Sequence, residues 1–166
     1  MQKLLFALFL LPVMGFCQTR FEKGYFVGND GIRVDCLIKN EDWKNNPAQF
    51  DYKEGESGEV KRADIETVSE FAFVPGPRYV RARVDIDYSS DVSEVLKTVD
   101  VTTSNLSLKR DPELKNEVLF LNVIVEGKAS LYYWYGDNRV RLFYSSSGSA
   151  IKQLIYKKYL AEKQDK

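Results

Sequence analysis

Three carboxylates in "DIDYSSD", Asp85, Asp87 and Asp91, are interleaved with Ser89, and oxygen donors at alternate positions are what a calcium ion takes. The spacing departs from a calcium-binding helix-loop-helix loop. Ser90 stands where the sharp turn needs glycine, Leu96 stands where a bidentate glutamate belongs, and the run continues a strand. A solvated strand face ending in a serine-rich turn accounts for these residues without an ion. Two other acidic groups, Asp64 with Glu66 and Glu54, Glu56 with Glu59, have the chemistry of a glycosidase pair. That mechanism needs two carboxyls opposed across a sugar at about 5 to 9 Å. Closeness in a polar loop does not supply that geometry, so these read as surface acids.

The remaining chemistry-bearing stretch is "SLYYWYGDNRVRLFY", residues 130–144. Strand alternation sends Ala129, Leu131, Tyr133 and Tyr135 to one side and Tyr132 and Trp134 to the other. Leu131, Tyr133 and Tyr135 are expected to face the core. Tyr132 and Trp134, with Arg139 and Arg141 on the adjacent strand, then form a candidate ligand or partner surface. The competing reading is packing alone, because aromatic residues suit pleated sheets and stack well across strands.

Absent residue types exclude more than present ones suggest. The chain has no histidine, which rules out Ser-His-Asp and Cys-His catalysis from its own side chains, a histidine-containing zinc site and a histidine pH switch. No phosphate-binding glycine loop or dinucleotide fingerprint is present. Catalytic, cofactor-binding and metal-ligating residues are therefore assigned nowhere, and no cofactor is expected.

Residues 1–17, "MQKLLFALFLLPVMGFC", combine one early lysine, a short apolar run and small residues before Gln18, the pattern of a signal peptide. The run is about half the roughly 20 residues a membrane-crossing helix needs. Phe16 precedes Cys17 where a lipid-acceptor cysteine wants a small neighbour. Removal of this segment leaves residues 18–166 as a single β-rich domain with Cys36 as its one cysteine, so no internal disulfide is available. Cys36 alternates with Val34 and Ile38 and reads as a small buried hydrophobe. Twenty-four basic and 24 acidic residues are mixed along the chain, which argues against nucleic-acid binding.

Period-two alternation dominates the elements that must hold these residues. "GYFVGNDGIRVDCLIKN" predicts a hairpin, residues 48–53 a short strand, "VSEFAFV" another, and "YVRARVDIDY" one with Val80, Ala82, Val84, Ile86 and Tyr88 on its dry face. Three strands of a meander follow across residues 117–144, turning at Glu126 and Gly127 and again at residues 136–138. Residues 91–99 have helical spacing, and residues 89–116 are expected to include a long, weakly ordered loop. "SGSAIKQLIYKKYLAEK" predicts a C-terminal helix capped by Ser147 or Ser149. The expectation is a mainly β domain of seven or eight antiparallel strands, a partly open barrel ahead of a sandwich, with that helix at its end.

"QTRFEKGYFVGNDG", "CLIKNEDWKNNP", "RYVRARVDIDYSS" and "LFLNVIVEGKASLYYW" resemble a group of uncharacterised exported β-rich proteins of Bacteroidetes bacteria, over most of the chain. The resemblance implies a periplasmic or extracellular location and no particular reaction. Some similar proteins continue past the counterpart of "SAIKQLIYKKY", which makes the chain a candidate N-terminal module of something longer. The expected function is a noncatalytic envelope domain that binds a protein, glycan or small ligand or supports an assembly. The alternatives are a hydrolase using acidic residues and a carrier of a small apolar ligand.

Overall fold

The computed structural model describes residues 20–89 and 110–156. They form ten strands: β1 Arg20–Gly28, β2 Arg33–Asn40, β3 Gln49–Lys53, β4 Lys61–Asp64, β5 Val68–Phe73, β6 Arg78–Asp87, β7 Leu114–Val125, β8 Ala129–Gly136, β9 Arg139–Ser146 and β10 Lys152–Gln153. All belong to one antiparallel sheet in the order β10-β9-β8-β7-β6-β5-β1-β2-β3-β4, which is not closed. The count exceeds the expected seven or eight because "KRAD" and "KQ" pair at the two edges, where pairing comes from the neighbouring strand more than from local propensity.

The predicted hairpin turns are present. Asp137 and Asn138 both have positive φ, 51° and 58°, as a two-residue turn with the right-handed twist of its strands requires. The predicted C-terminal helix is corrected over residues 149–156. Lys152 and Gln153 pair with Tyr144 and Phe143, and the Leu154 N–H donates to the Leu142 carbonyl at 2.8 Å. The exposed edge of β9 offers this segment backbone partners, and they outweigh a weak local helical pattern. The rest of that expected helix, the leader in residues 1–17 and the expected helix at 91–99 lie outside the described residues.

Connectivity forces the sheet to coil. Strands β4 and β5 are separated in the sheet by β1, β2 and β3, yet only residues 65–67 join them. In a flat sheet four strand spacings would hold them about 19 Å apart. The four peptide steps from Asp64 to Val68 reach at most about 14 Å. The order β5-β1-β2-β3-β4 therefore curls on itself around a core of Cys36, Ile38, Phe50, Ala63, Val68, Phe71, Phe73, Tyr79 and Phe120. Phe71 is its hub, stacked on Tyr79 at 4.6 Å and edge-on to Phe120 at 5.0 Å. Trp43, in the loop after β2, covers the opening against Phe71, Phe73 and Tyr79. Gly24 permits the close approach of β1, since a Cβ there would meet the Ala72 carbonyl oxygen and Ile38.

The second half of the sheet packs on its opposite face. Val84, Ile86, Leu121, Trp134 and Phe143 form a separate core, with Val80, Ala82, Tyr88, Leu119, Tyr132 and Ile151 against it. Phe120 and Leu121 are neighbours in sequence and each is almost fully buried, one in each core. The long strands β6 and β7 thus serve both sides: Tyr79 and Phe120 on one, Val84, Ile86 and Leu121 on the other. The sheet bends one way through β1–β5 and the other way through β6–β10.

Candidate functional site

Strand β9 carries the departure from ordinary patterning. Its sequence, "RVRLFYSS", sets Val140, Leu142 and Tyr144 on one side and Arg139, Arg141 and Phe143 on the other. Simple hydrophobicity puts the first set inside. The structure does the reverse: Arg141 is 6% exposed and Phe143 0%, whereas Val140 is 57%, Leu142 36% and Tyr144 40% exposed. The reason lies on the neighbouring strands. Phe143 faces Tyr132, and Arg141 faces Trp134, in register, and both pairs close over the core that Val84 and Ile86 present from β6.

The four candidate residues, Tyr132, Trp134, Arg139 and Arg141, do share one face, as alternation requires. That face is interior, which corrects the expectation that Leu131, Tyr133 and Tyr135 line the core while Trp134 points out. Trp134 is buried and Tyr132 half-buried, while Leu131, Tyr133 and Tyr135 are half-buried on the other side. The indole of Trp134 lies over Gly136, where a Cβ would collide with the ring.

Arg141 sits with its guanidinium carbon 5.2 Å from the centroids of both Tyr88 and Trp134, within cation-π range. Its Nε donates to the Asp87 carbonyl at 3.2 Å, and Arg139 donates from Nη1 to the Ser89 carbonyl at 3.1 Å. An arginine on β9 could not reach the end of β6 across a flat sheet with β7 and β8 between them, so this coil also assembles the site. From β10, Gln153 Oε1 accepts the Asp87 N–H at 2.7 Å. Tyr88 donates its hydroxyl to Glu117 at 2.8 Å. Burial, that hydrogen bond and the charges of Glu117 and Asp137 push its ionisation up to about 12, with Arg141 opposing. Tyr132 and Ser145 share a hydroxyl hydrogen bond at 3.2 Å. The assembly has binding chemistry: charge and aromatic faces held rigidly by strands.

The acidic candidates are engaged in local structure. Asp87 Oδ1 accepts from the Ser89 N–H, the Ser89 hydroxyl and the Glu113 N–H, which fastens the start of β7 to the end of β6. Asp85 accepts from Asn116, and Asp91 lies outside the described residues. Asp64 Oδ1 accepts the N–H groups of Glu66 and Thr67, shaping the turn into β5. Glu54 pairs with Lys61 at 2.8 Å across two exposed side chains. Cys36 is buried, and its thiol is pushed up to about 11 by burial, with smaller contributions from Asp35 and Glu54.

Sequence reasoning missed the outer face of β9. Val140, Leu142 and Tyr144 form an apolar row there, and Leu154, hydrogen-bonded beside Leu142 and 49% exposed, extends it beyond the edge strand. The available signal was Phe143, a large ring in phase with Arg141: one face of β9 had to bury a charge or expose a phenylalanine. The chain matches no family model, no curated protein and no solved structure.

Proposed function

We propose that the protein is a noncatalytic exported envelope domain with a binding or assembly-support role, and that its working surface is the outer face of β9. One observation supports this reading. The strand turns Val140, Leu142 and Tyr144 to solvent as one row while its other face, with Arg141 and Phe143, closes over the core. Contiguous exposed apolar side chains characterise interaction sites, whereas scattered ones need no explanation. Complete burial of such a side chain contributes about 1.5 to 3 kcal/mol, so three partly exposed ones hold a few kcal/mol for a partner. Exported location rests on the leader-like residues 1–17 and on the resemblance to exported proteins. Among the described residues no helix is long and apolar enough to cross a membrane.

The test is a photo-crosslinking amino acid at Leu142, compared with the same group at Ile32, an exposed residue in the turn after β1. The expected result is a discrete adduct from Leu142, with an envelope protein or a second copy, and none from Ile32. The adduct should disappear when Val140 and Tyr144 are changed to lysine in a chain whose melting temperature is unchanged. Equal labelling from both positions, or persistence of the adduct in the lysine variant, defeats the proposal.

A further inference from the structure

We infer that Arg141, with Arg139 beside it, binds a compact oxyanion, a phosphate, sulfate or carboxylate group, between the rings of Tyr88 and Trp134. Arg141 is more than nine-tenths buried, and its Nη1 has no hydrogen-bond partner. A guanidinium is always charged and carries five N–H donors. Here one of them, Nε, reaches a carbonyl oxygen. Buried charges are ordinarily paired, because an uncompensated one loses its hydration with nothing in return. Among the described residues no carboxylate forms an ion pair with Arg139 or Arg141. Three acids lie near: Asp87 is engaged by its turn and Glu117 by the Tyr88 hydroxyl, and Asp137, whose charge acts on Tyr88, makes no ion pair with either arginine. The aromatic faces of Tyr88 and Trp134 offset part of that cost, which leaves the Nη1 donors unmet. An oxyanion meets them with charge-assisted hydrogen bonds. Arg139, two residues away on the same face, adds a second positive charge next to the same backbone segment.

The chain has two tryptophans, and they sit in opposite cores. Trp43 is therefore an internal control for Trp134. Indole N–H resonances are followed while sodium phosphate, sulfate or acetate replaces chloride at constant ionic strength. A saturable shift of the Trp134 signal, with Trp43 unmoved, is expected for at least one of the three anions. The identity of that anion separates a phosphate or sulfate source from a carboxylate one. Arg141→Gln should abolish the shift and Arg139→Gln should weaken the apparent affinity severalfold. If Arg141→Gln does not fold, the guanidinium resonances of Arg141 in the unaltered protein report the same event. No saturable shift with any of the three anions, or the same shift in a folded Arg141→Gln variant, overturns the inference.

Discussion

Asn46 and Tyr135 exchange two hydrogen bonds: the Asn46 N–H donates to the Tyr135 carbonyl at 2.9 Å, and the Tyr135 N–H donates to Asn46 Oδ1 at 3.0 Å. The Asn46 side-chain amide also donates to the carbonyls of Phe120 and Tyr133. Strands β7 and β8 pair from Asn122 to Val125 and diverge on the Phe120 side. Asn46 enters that gap and satisfies backbone groups the ladder leaves unpaired. A loop of the first half of the sheet is thereby fastened to the second half.

Asn46→Ala should destabilise the domain by about 2 to 4 kcal/mol, because three partly buried backbone groups lose a partner. Asn46→Asp should cost a similar amount, since a carboxylate oxygen would face the Phe120 and Tyr133 carbonyls. A lowered urea midpoint at unchanged slope is the readout. An unchanged midpoint would show that Asn46 does not fasten the two halves.

Phe120→Ala and Leu121→Ala should cost about 3 to 5 and about 2 to 5 kcal/mol respectively. Despite adjacency in the chain, the double variant should be additive to within about 0.5 kcal/mol, because the two side chains occupy separate cores. Coupling above about 1 kcal/mol in a two-state denaturation cycle would mean that the two faces pack as one unit.

Trp134→Ala should destabilise by about 3 to 5 kcal/mol, the range for removing a large buried ring. Tyr133→Ala should cost less, because its ring is half-buried on the opposite face. Thermal unfolding of the pair measures this order. The reverse order would place the interior of β8 on the Tyr133 side.

Stability should fall as pH rises above about 9. Cys36 and Tyr88 are neutral when protonated, and folding raises them from ordinary values of 9.0 and 10.0 to about 11 and about 12. The folded state therefore holds these protons more tightly than the unfolded state does. Their contributions are complete below the unfolded values and are lost as pH rises, from 9 to 11 for Cys36 and from 10 to 12 for Tyr88. Tyr25 and Tyr79 shift in the same direction. Cys36→Ala should flatten the decline between pH 9 and 11 in denaturant titrations. An unaltered slope there would show that the thiol ionises equally in both states.

Much of the local architecture was legible. Strict alternation in residues 79–88 marked β6, and the Asn, Asp and Gly residues at 29–31 and 136–138 marked two hairpin turns, because few residue types tolerate those backbone angles. The pairing of Tyr132, Trp134, Arg139 and Arg141 on one face was legible for the same reason. The C-terminal helix was misread because Ile151, Leu154 and Ile155 fit a helical stripe as well as an edge segment, and short apolar runs are ambiguous between the two.

The sequence by itself determined the period of each strand, and hence which side chains lie together on each face. It did not determine which face is dry. Alternation divides a strand into two sets, but burial depends on where the sheet bends and what it bends over. This sheet bends in opposite senses along its length, so Tyr79 and Val84, on opposite faces of β6, are both interior. Phe120 and Leu121 repeat the arrangement on β7, and on β9 Arg141 is enclosed while Leu142 is exposed. Those outcomes belong to the tertiary structure. The three-residue link between β4 and β5 imposes the first bend, and the packing of β9 and β10 against β6 makes the second.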